Sequence, residues 1–246
     1  MKDNFSKQSK LYSKFRPVYP QALYDCILKY TQNLGEAWDC GTGNGQVAKV
    51  LCKYFERVEA TDISEQQLNE AFQANNINYQ CIPAEKTAFP DNTFDLVTVA
   101  QAIHWFDFDK FYAEVNRTAK VGAIIAIWGY GTLQVEGQVG ELINCFYHNK
   151  IHSYWDEERK HIEDSYESIP FPFPEKENHT FSIELRWTLA ELEGYLNTWS
   201  AVQYYITKNN NNPVTRLMAN ISKAWDTEEG RIKVAFPVFL MLGKVK

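Results

Sequence analysis

The segment EAWDCGTGNGQVAKVL, residues 36–51, restricts the fold more than any other part of the chain. A short apolar run meets an acid, Asp39; glycines follow at alternate positions 41, 43 and 45; a helix-like pattern begins at once. Glycines placed after a strand let the backbone turn sharply and approach a ligand, and the next helix offers unpaired N–H groups at the positive end of its dipole. A strand–loop–helix unit of this kind belongs to a parallel sheet, whose strands need crossover connections.

The rest of the first half continues that rhythm. Residues 19–32 carry Leu23, Ile27, Leu28 and Tyr30 at helical spacing. RVEATDIS reads as a second strand ending at Asp62, and SEQQLNEAFQAN as a helix opened by Ser64 with Gln67 three residues on, a capping-box pattern. Strands are expected at 79–82, at the almost wholly apolar FDLVTVA, and at GAIIAIWGYG, with a helix over FDKFYAEVNRTAK stopped by Gly122. Strand and helix alternate through residue 130, which predicts a doubly wound α/β sheet.

Beyond Gly131 the pattern changes. A helix is expected over 139–154 and an acidic helix-like run at DEERKHIED, while the prolines of SIPFPFP exclude regular structure. TFSIELRWT then reads as a strand, LAELEGYLNTWSAVQYY as one helix, 214–225 as another, and RIKVAFPVFLMLGKVK as a closing strand in which Pro237 marks a bulge or an edge. The 246 residues, 45% of them hydrophobic, are enough for one large domain. We divide it into an N-terminal lid helix (1–33), a ligand-binding core (34–130), a cap (131–180) and the completion of the sheet (181–246).

A net charge of −6 without a Lys/Arg cluster argues against nucleic acid as partner. Five scattered cysteines, with no C-x-x-C pair, write neither a disulfide framework nor a zinc site. The first residues lack the apolar stretch of a signal peptide and no run of ~18 apolar residues occurs, so a cytoplasmic chain without membrane contact is expected. His148 and His152 are four apart on a predicted helix, but no third ligand accompanies them, and no metal is expected.

The loop itself discriminates among nucleotide ligands. A triphosphate loop ends in Gly-Lys-Ser/Thr, whereas Gly45 is followed by Gln46 and Val47. The dinucleotide fingerprint is G-x-G-x-x-G; here the spacing is G-x-G-x-G, with Asp39 two residues ahead. A carboxylate there repels a pyrophosphate and attracts an ammonium group. S-adenosylmethionine carries an α-ammonium and a sulfonium, and Asp62, at the end of the second strand, stands where an acid accepts hydrogen bonds from both ribose hydroxyls.

WDCGTGNG, ATDIS, PAEKTAFPDNTFDLVTVAQAIHWFD and the closing strand resemble the class I S-adenosylmethionine-dependent methyltransferases, and most closely the small-molecule branch that includes trans-aconitate methyltransferase. The resemblance is strong from residue 12 to about 128 and looser beyond. It implies a seven-stranded Rossmann-like sheet with one antiparallel strand near the C-terminus. It further implies S-adenosylmethionine as cofactor, S-adenosylhomocysteine as product and a small-molecule methyl acceptor.

Carried over by position, Asp39, Gly41, Thr42 and Gly43 would hold the methionine end, Asp62 the ribose and Ile63 one face of the adenine. Ala84 and Glu85 would reach the adenine edge. Gln101, Ala102, His104 and Trp105 would border the methyl group, and Tyr12 and Arg16 would close over the cofactor. His104 is the candidate base; His104, Trp105, Tyr154 and Trp155 are expected against the acceptor. The resemblance points to O-methylation of a small carboxylic acid. Methylation of a quinone-like or aromatic metabolite, a non-catalytic adenosyl-binding protein and a nicotinamide-dependent oxidoreductase are the alternatives.

Overall fold

A computed structural model of the chain describes residues 15–227 and 229–246. After a helix α1 (Gln21–Tyr30), the chain alternates β1 (Glu36–Cys40), α2 (Ala48–Leu51), β2 (Arg57–Asp62), α3 (Glu65–Asn69), β3 (Ile77–Cys81), β4 (Phe94–Ala100), α4 (Phe108–Thr118) and β5 (Ala119–Tyr130). There follow α5 (Gly137–Cys145), α6 (Arg159–Glu163), β6 (Glu177–Trp187), α7 (Leu189–Leu196), α8 (Ser200–Asn209), α9 (Pro213–Ile221) and β7 (Ile232–Lys244).

The strands form one sheet in the order β3-β2-β1-β4-β5-β7-β6. All pairings among β1 to β5 are parallel, and β7 runs antiparallel to both its neighbours. The chain travels outward from β1 to β3 and then returns to place β4 against β1. That reversal opens a crevice at the carboxyl ends of β1 and β4, the usual ligand position in an open α/β sheet. Two apolar clusters cover the faces of the sheet, one holding Trp128, Leu23 and Phe236, the other Trp38, Phe94 and Phe111.

Local chemistry explains where elements begin and end. In β4 every residue but the last is buried, as expected of an apolar inner parallel strand. Asp107 caps α4 by accepting from the Lys110 N–H, and Phe111, Tyr112, Val115 and Thr118 line that helix's buried face. Ser64 likewise accepts from the Gln67 N–H and opens α3. That helix ends at Asn69 rather than continuing through residue 75; the Tyr79 hydroxyl takes the Phe72 carbonyl and the Asn76 amide bridges to the Cys52 and Phe55 carbonyls.

Four further expectations differ from the structure. β5 begins at Ala119, and Gly122, with φ of 80°, sits within it where the register to β4 shifts. The expected helix 139–154 is α5 followed by a widened turn, Phe146–Lys150, and a 3-10 turn, His152–Tyr154. The expected single helix from Leu189 is broken into α7 and α8, because the Thr198 hydroxyl donates to the Tyr195 carbonyl at 2.6 Å and the chain turns at Trp199. Pro237 lies in the inner strand β7, in unbroken register with β6. Its carbonyl accepts from the Gly131 N–H, so its missing donor faces the point where β5 has ended and no bond to β6 is lost.

Candidate active site

The loop after β1 is fastened to the end of β2. Thr42 N–H donates to the Thr61 carbonyl at 2.9 Å, and the Asp62 carboxylate accepts from Gly43 N–H at 2.8 Å and Ser64 N–H at 2.9 Å. Gly41, Gly43 and Gly45 all have positive φ, which L side chains rarely adopt. At Gly45 a Cβ would meet the Tyr79 hydroxyl at 2.2 Å, so packing demands glycine. At Gly43 nothing lies within 4 Å of a Cβ; that side of the loop is open.

Asp39 lies beneath this loop and is 1% exposed. One carboxylate oxygen accepts from the Thr42 hydroxyl at 2.5 Å and the other from the Thr98 hydroxyl at 2.9 Å. Burial raises its pKa to about 6 against the lowering effect of those hydrogen bonds. A cation brought to the mouth of the loop would relieve that penalty.

One cavity gathers most of the sequence-predicted residues. Asp39, Gly41, Thr42 and Gly43 line one side, with Asp62 and Ile63 next to them. Arg16, Gln101, Ala102 and Trp105 line the other. Gln101 directly follows β4 with φ of 55°, a conformation that costs a residue with a side chain about 1–3 kcal/mol and is tolerated where the surroundings over-determine it. Here they do. Gln101 N–H donates to the Trp128 carbonyl, its amide nitrogen to the Tyr130 carbonyl, and its amide oxygen accepts from Tyr130 N–H.

A second cavity adjoins the first and shares Arg16, Gln101 and Trp105 with it. Its remaining wall includes His104, Trp155, Arg159, Tyr195 and Trp199. His104 is 8% exposed, with Nδ1 2.9 Å from the Tyr166 hydroxyl. Burial, then the positive charge of Arg159, lowers its pKa to about 3, which makes it neutral and a feeble base at neutral pH. Ser165 and Tyr166 are consecutive residues with positive φ, and this brings the fully buried Tyr166 ring under His104.

Three predicted residues are elsewhere and one is outside the described residues. Ala84 is packed in the core and Glu85 accepts from the Asp107 N–H at 3.1 Å, so neither lines the first cavity. Tyr154 faces α8 instead of the second cavity; its hydroxyl accepts from the Asn209 amide and its ring rests on Tyr205. Its neighbour Trp155 turns the other way because the 3-10 turn ends between them. Tyr12 lies outside the described residues.

The sequence reading missed Tyr19, Gln67 and Tyr130 in the first cavity and Arg159, Tyr195 and Trp199 in the second. Gln67 had a signal: it is a polar side chain on the helix after Asp62, 4% exposed, and its amide oxygen is buried without a hydrogen-bond partner. The others come from segments whose relation to the glycine loop only the fold reveals.

The methyltransferase-domain family matches residues 38–127. A protein of Dictyostelium discoideum named as a methyltransferase is 32% identical over 98% of this chain and 95% of its own length. A solved structure of a type II methyltransferase from Anaeromyxobacter dehalogenans superposes with a TM-score of 0.86, at 38% identity, over 94% of this chain and 98% of that one.

The chain belongs to the class I S-adenosylmethionine-dependent methyltransferases.

This methyltransferase is also 34% identical to the ubiquinone/menaquinone biosynthesis C-methyltransferase UbiE of Desulfotalea psychrophila, over 36% of its own chain and 38% of that protein. Family membership sets the nicotinamide alternative aside. The first cavity fits S-adenosylmethionine in kind: an open glycine loop, an acid at the end of β2, a buried amide oxygen awaiting a donor and a buried acid that a cation would relieve. Among the described residues, no helix is long and apolar enough to cross a membrane and no three metal-binding side chains cluster.

Proposed function

We propose that this methyltransferase methylates a small-molecule acceptor seated in the second cavity, on an oxygen that arrives already ionised, a carboxylate being the best fit. The observation that carries this reading is His104, buried, tied to Tyr166 and far too weakly basic to remove a proton at neutral pH. S-adenosylmethionine, when bound, supplies an electrophilic methyl group on a positively charged sulfur. The chain's own residues then have to bind, align and exclude water.

In this reading the loop of Gly41 to Gly43, Asp39 and Asp62 receive the cofactor, with Ile63 and Gln67 beside the nucleoside. Arg16, Gln101 and Trp105, common to both cavities, form the wall across which the methyl passes. Trp105, Trp155 and Trp199 enclose the acceptor and keep water out. A neutral His104 can offer one hydrogen bond to it without exchanging its proton. The partial likeness to a C-methyltransferase and the aromatic walls favour a second reading, a quinone-like ring methylated at carbon.

The test is methyl transfer from labelled S-adenosylmethionine to a panel of small carboxylic acids, phenols and quinols. Methyl esters as the main products uphold the carboxylate reading. Product on ring carbon alone replaces it with the second, and binding of cofactor without any product would make the chain a non-catalytic adenosyl-binding protein.

A further inference from the structure

Arg159 stands in the wall of the second cavity in unusual company. Its Nε donates to the Tyr147 hydroxyl at 2.9 Å and one terminal nitrogen to the Thr132 hydroxyl at 3.0 Å. Its guanidinium lies 4.6 Å from the centre of the Trp155 ring and 5.6 Å from that of Tyr147. These partners are neutral. Among the described residues no carboxylate lies within ion-pairing distance of it; Glu163 reaches it only through the Tyr147 hydroxyl, which donates to that acid. The other arginines whose ion pairs are known, Arg57, Arg117, Arg186 and Arg231, each have a carboxylate.

A guanidinium held rigid by two hydroxyls and an indole face, with no carboxylate in ion-pairing distance among the described residues, is prepared for a planar anion, since its remaining donors match a carboxylate. The charge is felt locally, for Arg159 is the principal charged group acting on His104. A second donor, the indole N–H of Trp155, is buried in the same wall without a hydrogen-bond partner. Arg159 borders the second cavity but not the first, so it stands away from the wall shared with the cofactor.

We propose that Arg159 is the specificity-determining residue of the acceptor site, where it anchors an anionic group, a carboxylate in geometry, at the end of the acceptor remote from the atom that is methylated. The acceptor is then a small planar acid with two distinct functions: an anion held by Arg159, and a nucleophile presented at the shared wall. The inference rests on the reading that the acceptor occupies the second cavity.

The experiment is calorimetric titration of the full chain, saturated with S-adenosylhomocysteine, with benzoate and with benzamide, which share a planar ring and differ in charge. Benzoate is expected to bind about tenfold or more tightly than benzamide. Arg159→Gln should abolish that preference, Arg159→Lys should restore part of it, and both variants should bind S-adenosylhomocysteine as the parent does. Equal binding of the two probes, binding of neither, or a preference that survives in Arg159→Gln overturns the proposal. Turnover with the acceptor panel separates the two levels: transfer to anionic acceptors unaffected by Arg159→Gln refutes the anchor and leaves methyl transfer standing, whereas an absence of product with every acceptor refutes the function on which it rests.

Discussion

The two cavities are built by opposite means. The first is made of backbone: three glycines, the N–H groups of Gly43 and Ser64, and an acid at each of two adjacent strand ends. The second is made of side chains from helices and short turns, brought together from residues around 16, 104, 155–159 and 195–199. A backbone site is fixed by the sheet and tolerates little change. A side-chain site can change its lining with less effect on the sheet, so one kind of cofactor site can serve many acceptors.

The sharpest way to break this contrast is to attack the loop. Gly45→Val forces a Cβ onto Tyr79 at a positive φ, and overpacking with backbone strain should cost about 3–5 kcal/mol, lowering the melting temperature by roughly 6–15 °C. A melt within 2 °C of the parent would show that the loop is pliable and that the backbone does not fix the first cavity. Asp62→Ala should come next. It leaves the Gly43 and Ser64 N–H groups without their acceptor and should weaken S-adenosylhomocysteine binding by about a hundredfold, measured calorimetrically.

A buried titratable group in each cavity, His104 and Asp39, gives the contrast a sign. His104 has its folded pKa lowered to about 3, so the stability tied to its neutral form is complete above pH 6.5 and is lost as pH falls from there toward 3, by of order 5 kcal/mol. Asp39 has its folded pKa raised to about 6, so the ligand-free protein loses stability as pH rises from about 4 to 6, by of order 3 kcal/mol. Denaturant unfolding across pH 4–7 should show the first slope removed in His104→Gln and the second in Asp39→Asn. Identical pH profiles for both variants and the parent would contradict both assignments.

At the second cavity the effects should be smaller and confined. Trp155→Ala should raise the KM for the acceptor about tenfold while S-adenosylhomocysteine affinity stays within twofold, because Trp155 borders only the second cavity. A matching loss of cofactor affinity would mean that the two sites are one. Smallest of all is Pro237→Val, expected to move stability by less than about 1 kcal/mol, since the donor it restores faces the end of β5.

The same contrast explains what could be read from the chain. β1, β2 and β4 were legible because apolar runs, an acid and glycines occur within a few residues of each other, and the cofactor cavity follows from their order. Arg159 was hidden in a charged run that reads as a solvated helix face; its bonds to Tyr147 and Thr132, 12 and 27 residues away, come only with the fold. Trp199 was hidden for a similar reason, since a hydroxyl at Thr198 divides what helical periodicity alone joins. Tyr154 and Trp155 are neighbours in sequence with opposite orientations, and no periodicity distinguishes them.

Arg16 donates to the Tyr130 hydroxyl at 2.8 Å and lies over the Tyr195 ring, with one face toward each cavity. Together with Gln101 and Trp105 it makes a partition common to both cavities. A shared partition predicts an order of events. The nucleoside ligand is expected to enter first, the second reactant to close behind it, and the methylated product to leave before the demethylated nucleoside. Steady-state kinetics should then show S-adenosylhomocysteine competing with S-adenosylmethionine yet acting non-competitively toward the acceptor.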